Sequence, residues 1–104
     1  MCSSDLTVWI ADPHPLLRSG LRVQLESSGF RVTGEGATPR EAASADGTAP
    51  QIIILDLEFG PGAVSEMKTR HPSTRVVVFA ENAEISNLSR MFAAGADEIG
   101  RAHV

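Results

Sequence analysis

Two unbroken apolar runs dominate the pattern along the chain, Ile52-Ile53-Ile54-Leu55 and Val76-Val77-Val78-Phe79. A strand with one wet face alternates apolar and polar side chains. A continuous run of branched residues therefore predicts a strand covered on both faces, as in the middle of a parallel sheet. Thr7-Val8-Trp9-Ile10-Ala11 is a third short run of this kind. Phe30 and Val32 alternate with Arg31 and Thr33, which predicts a half-buried strand broken by Gly34 and Gly36. Ala96 to Ile99 reads as the start of a fifth strand.

Helical spacing fills the intervals. Leu17, Leu21 and Leu25 recur every four residues after the first run. Thr38-Pro39-Arg40-Glu41 has a capping threonine, a proline suited to the first helical position and a glutamate three residues past the cap, and this short helix is expected to end at Asp46-Gly47. Gly60-Pro61-Gly62 predicts a tight loop, followed by a short helix from Ala63 to Arg70 with Val64 and Met67 as its apolar pair and Pro72 as its stop. Ile85, Leu88 and Phe92 predict a further helix that Gly95 terminates. Five strands alternating with four helices in 104 residues predict one α/β domain, and right-handed crossovers make its sheet parallel.

Composition narrows the function classes. The net charge of −4 comes with scattered Lys and Arg, so no basic stripe marks a nucleic-acid surface within the chain. No apolar stretch approaches the roughly 20 residues a membrane helix needs, no signal-peptide pattern is present, and a cytoplasmic location is expected. Cys2 is the sole cysteine, which excludes an internal disulfide and a cysteine metal cluster.

The candidate chemistry lies where the apolar runs end. Asp56 closes one strand and Asp12 another, and in open α/β sheets ligands bind in the crevice outside the carboxyl ends of the strands. A lone aspartate there more often just begins a solvated loop, but a second acid at another strand end favours a shared site. His14 has the chemistry of a phosphoryl carrier or metal ligand, but flanked by Pro13 and Pro15 it reads more simply as a loop residue that orients the turn, and His71 before Pro72 as a cation suited to a helix end. Trp9, Phe30, Phe59, Phe79 and Phe92 read as packing residues.

The segments Ile-Ala-Asp-Pro-His-Pro-Leu-Leu-Arg-Ser-Gly-Leu, Val-Thr-Gly-Glu-Gly, Ile-Ile-Leu-Asp-Leu, Arg-Val-Val-Val-Phe and Ala-Ala-Gly-Ala-Asp occur in that order. Together they resemble the receiver domain of bacterial two-component response regulators, across residues 7–97. The acid-x-His-Pro-Leu segment is similar to receivers that precede a helix-turn-helix DNA-binding domain of the LuxR type. The resemblance implies a flavodoxin-like, doubly wound, five-stranded parallel sheet, here without its last helix. It implies a non-enzymatic switch in which a sensor histidine kinase phosphorylates Asp56. Homodimerisation, and DNA contact only through a further carboxyl-terminal domain, complete the expected partners. Asp12, Asp56 and Glu58, the last through its backbone carbonyl or its side chain, are expected around Mg²⁺, whose octahedral preference suits oxygen donors.

Three positions depart from that pattern. Pro13 stands where the second acid belongs, Ala80 where a hydroxyl residue would bond the phosphoryl group, and Ala102, one past Arg101, where a lysine is expected. A receiver that acts without phosphorylation, as a dimerisation or interaction module, is therefore an open alternative. An aspartate-nucleophile hydrolase with Glu58 as its second acid is another. The termini carry a separate signal. Residues 1–6 can be encoded by GTG TGC TCT TCC GAT CTN, and the reverse complement of that string can read Glu98-Ile99-Gly100-Arg101-Ala102-His103. Both strings resemble sequencing adapters, so residues 1–6 and 98–104 are expected to be adapter translation flanking a carboxyl-terminally truncated receiver at 7–97, and a marginal, association-prone polypeptide is expected.

Overall fold

The apolar runs form the strands of one parallel sheet: β1 (Thr7–Ala11), β2 (Arg31–Gly36), β3 (Ile52–Asp56), β4 (Arg75–Ala80) and β5 (Glu98–Arg101). The structure is a computed structural model that describes residues 6–43, 48–80 and 93–101. Strand order is β2-β1-β3-β4-β5, so the chain reverses direction of growth between β1 and β3. That is the switch point where helices diverge to opposite faces and leave a crevice. The helices are α1 (Pro15–Ser27), α2 (Pro39–Ala42) and α3 (Gly60–Arg70), with a 3₁₀ turn at Leu57–Phe59 between β3 and α3.

Period-two alternation sorts the strand residues onto two buried faces. Trp9, Ala11, Ile53, Leu55, Val76 and Val78 face Ala42 of α2 and Val64 and Met67 of α3. Val8, Ile10 and Ile54 face the other way, with Leu21 and Leu25 of α1 packed against them. Both faces of β3 are covered, as its unbroken run predicts. Ile52, Val77 and Phe79 on the α1 side are only partly buried. Phe30 and Phe59 pack at the margins of the two clusters, and the His71 ring meets Trp9 edge-on, with centroids 5.2 Å apart.

Three local expectations need correction. Gly34 and Gly36 do not break β2, which runs through both. Its register on β1 slips between Val8 and Trp9, leaving Thr33 as an extra residue in a bulge. A Cβ on Gly34 would overlap the Ala42 carbonyl oxygen, so the glycine is there for the close approach of α2. Gly60-Pro61-Gly62 is the first turn of α3 and not a loop. Proline is pre-organised for a helix start, and Gly60 takes the left-handed φ of +79° that turns the chain into it. Third, β5 begins at Glu98, two residues later than Ala96.

The capping expectation at α2 holds for the threonine, whose hydroxyl accepts the Glu41 N–H at 3.2 Å, while Glu41 Oε1 reaches back one residue further than a capping box requires, to the Ala37 N–H. The helix is shorter than expected: it ends at Ala42, where Ala43 turns extended at φ −61° and ψ 136°, rather than running to Asp46-Gly47. Cys2, Ile85, Leu88, Phe92 and Ala102 lie outside the described residues. Gly95, at φ +117°, follows the helical Ala93 and Ala94, as a glycine closing a helix does.

Candidate phosphoacceptor and metal site

Register brings the two strand-end acids together. β1 pairs with β3 through Ala11 and Leu55, and one residue further along each strand stand Asp12 and Asp56. Asp12 is 1 % exposed and Asp56 9 %. Asp12 is held by its backbone, which donates to the Gly36 carbonyl at 3.0 Å and accepts from the Arg18 guanidinium of α1 at 2.7 Å. Asp56 Oδ1 accepts the Glu58 N–H at 2.8 Å and so caps the 3₁₀ turn.

His14 completes the site. It is the last residue before α1, and its backbone N–H donates to Asp12 Oδ1 at 2.8 Å. Its ring lies across the acids: Nδ1 is 3.1 Å from Asp12 Oδ1 and 3.8 Å from Asp56 Oδ2, while Nε2 is 3.2 Å from Glu58 Oε2. Asp12, His14 and Asp56 can each offer a ligand atom within 4.8 Å of the others. The Glu58 side chain is mostly exposed and meets His14. Sequence reasoning weighed His14 as a phosphoryl carrier or metal ligand but favoured an orienting loop residue. The missed signal is its position two residues beyond a strand-end acid, ahead of Pro15, whose fixed φ starts α1.

The electrostatics follow from this crowding. Burial pushes the Asp56 carboxyl up from the usual range, opposed by the Glu58 N–H, with the neighbouring Asp12 and Glu58 carboxylates adding to the rise. The hydrogen bond to Asp12 raises the His14 imidazole, and the charges of Glu58, Asp12 and Asp56 add to it against partial desolvation. Asp12 Oδ2 is buried without a hydrogen-bond partner. A buried carboxylate oxygen with no donor is costly, and a divalent cation would satisfy it, so the donor set fits such an ion. Pro13 adds no side-chain ligand.

Comparison with known proteins decides the family: residues 8–99 match the response regulator receiver domain. This chain belongs to that family. Its fold is shared with a LuxR-family two-component response regulator from Aurantimonas sp. SI85-9A1, 26% identical, with a TM-score of 0.83 over 94% of this chain and 74% of that one. A LuxR-family DNA-binding response regulator from Silicibacter pomeroyi is also 26% identical, with a TM-score of 0.78 over 94% of this chain and 80% of that one. A candidate transcriptional regulator from Pseudomonas aeruginosa is 30% identical over 94 residues, which is 86% of this chain and 45% of the relative. The receiver thus spans less than half the length of the curated relative it matches. Its five-stranded parallel sheet agrees with the fold that the resemblance implies. Among the described residues no helix is long and apolar enough to cross a membrane.

Proposed function

We propose that this receiver accepts a phosphoryl group on Asp56 from the phosphohistidine of a sensor histidine kinase and relays the change to an attached DNA-binding output domain. The observation that carries the reading is the pairing of Asp56 with the buried Asp12 at the switch point of the sheet. One Asp56 oxygen is tethered by the Glu58 N–H, which orients the carboxylate and leaves the other oxygen to attack phosphorus. The new P–O bond makes an acyl phosphate as the donor's P–N bond breaks and its electron pair returns to the imidazole. A divalent cation, Mg²⁺ in this reading, offsets charge on the transferring group when bound, with Asp12, Asp56 and Glu58 as its proposed holders. Asp12 contributes fixed negative charge and a free oxygen; the Arg18 guanidinium, bonded to the Asp12 carbonyl, keeps that strand end in place.

This is a cytoplasmic signalling module in the same reading, not a turnover enzyme, and it reaches DNA only through its output domain. The LuxR-family neighbours support that choice of output. We further propose that the receiver proper spans residues 7–97 and that residues 1–6 and 98–104 are adapter-encoded. Parallel pairing of β5 uses backbone groups that any sequence offers, so strand formation at Glu98–Arg101 is compatible with that origin. Different codons in the parent DNA would overturn it.

The test is treatment with acetyl phosphate and Mg²⁺, read by intact-mass spectrometry. A phosphoryl adduct that Asp56→Asn removes is expected. A folded protein that forms none is instead the phosphorylation-independent interaction module, a reading favoured by Pro13 and Ala80, which provide neither carboxylate nor hydroxyl. Hydrolytic turnover of a phosphomonoester would overturn both.

A further inference from the structure

We propose that the acidic pocket of this receiver is a mixed nitrogen and oxygen metal site, in which His14 Nδ1 replaces the oxygen ligand that Pro13 cannot supply and shifts selectivity from Mg²⁺ toward imidazole-accepting divalent ions such as Zn²⁺. The inference rests on the metal-assisted reading of the same site and names the ion it favours.

Three observations carry it. His14 Nδ1 stands 3.1 Å from an oxygen of Asp12 and 3.8 Å from one of Asp56. Donors about 2.1 Å from one ion lie roughly 3.0 to 3.4 Å apart for octahedral or tetrahedral angles, so small rotations of these side chains close the set. Asp12 is almost wholly buried and its Oδ2 has no partner. A divalent cation held between the two acids would supply that partner. Third, the far nitrogen of the ring is already engaged: His14 Nε2 is 3.2 Å from Glu58 Oε2. A ligating histidine typically donates its other N–H to a carboxylate, which sets the tautomer and makes the ligating nitrogen a better donor. Glu58 thereby acts through His14 as a positioning residue.

The chemistry of the donors sets the selectivity. Imidazole suits zinc and the later first-row metals, whereas Mg²⁺ takes oxygen ligands and keeps its waters. A site of two carboxylates and one imidazole gains much more from His14 with Zn²⁺ than with Mg²⁺.

The experiment uses the full chain carrying Cys2→Ser, which removes a competing thiolate. Zn²⁺ and Mg²⁺ affinities are measured separately by chelator competition and calorimetry. His14→Ala is expected to weaken the one-equivalent Zn²⁺ site by about tenfold or more, by analogy with the loss of a ligand or its outer-shell partner, and to leave Mg²⁺ affinity unchanged or improved. Glu58→Gln is expected to weaken Zn²⁺ less than His14→Ala does. Two-dimensional ¹H–¹⁵N spectra of the His14 ring report coordination directly in the unmutated site, with a Zn²⁺-dependent shift at Nδ1 and retention of the Nε2 proton. Equal Zn²⁺ affinity with and without His14, or an Nδ1 signal that does not move at saturating Zn²⁺, overturns the proposal. Phosphoryl adduct formation in excess Mg²⁺ is read on the same samples. An adduct without His14-dependent Zn²⁺ binding overturns the metal assignment alone, and His14-dependent binding without an adduct overturns the phosphoacceptor reading alone.

Discussion

Asp56→Asn should stabilise the metal-free protein. The ligand atoms of Asp12 and Asp56 can lie within 4.8 Å of each other, and two unit charges at that separation repel by about 3 kcal/mol at an effective dielectric near 20. His14 returns part of this through its contacts with the same acids, and its half-exposed ring is screened by solvent. The amide keeps an acceptor at Oδ1 for the Glu58 N–H and adds an NH₂ that can donate to the unpartnered Oδ2 of Asp12. A net gain of about 1 kcal/mol remains, equivalent to a rise of roughly 4–8 °C in Tm for a domain of this size. The assay is thermal and urea unfolding of wild type and variant in chelator across pH. Because burial raises the Asp56 carboxyl in the fold, the native state binds more protons than the unfolded chain between the ordinary carboxylate value and the raised one. Stability of the wild type relative to the variant therefore falls as pH rises through that window, and the full gap persists above it. Below it the gap should close. A variant that is no more stable than wild type at neutral pH, or a gap that is constant with pH, refutes the account of crowded carboxylates.

Other regions offer independent tests. Gly34→Ala drives a methyl into the Ala42 carbonyl and against the Trp9 ring, and should cost about 1–3 kcal/mol in denaturant unfolding; an unchanged midpoint would show that α2 shifts freely. Thr74→Val removes a buried hydroxyl that donates to the Pro50 carbonyl at 2.7 Å, with an expected loss of about 1 kcal/mol measured the same way. The Asp97 carboxyl is held below its usual range by the Val76 N–H, with Lys68 adding to the effect. Its contribution is present above the ordinary Asp value and lost as pH falls through the lowered one, so the stability difference between wild type and Asp97→Ala should shrink on acidification. A difference that grows in acid would contradict the assignment.

The strands were legible because their signal is local. Ile53, Leu55, Val76 and Val78 on one face and Ile54, Val77 and Phe79 on the other alternate within runs that have no polar member, and a sheet covered on both sides is the arrangement that accommodates them. Asp12 and Asp56 were legible for the same reason, as the first charged residues after such runs. The turns were less so. Gly34 looked like a strand breaker because the demand for it comes from the Ala42 carbonyl, eight residues away in sequence and in contact only after folding. Gly60 and Pro61 looked like loop residues because the same pair that turns a chain also starts a helix.

The sequence by itself determined the class of the protein: the order of strand and helix periods, and two acids at strand ends. Only the tertiary structure decided what those acids experience. Strand order puts β1 beside β3, register sets Asp12 next to Asp56, and the start of α1 carries the His14 ring over both. Local periodicity encodes which residues are buried, but the distance between groups 44 positions apart depends on how separate elements dock. For that reason the carboxylates could be named in advance, whereas the position of the His14 ring against both of them, the raised Asp56 and the unpaired oxygen of Asp12 emerge only from the fold.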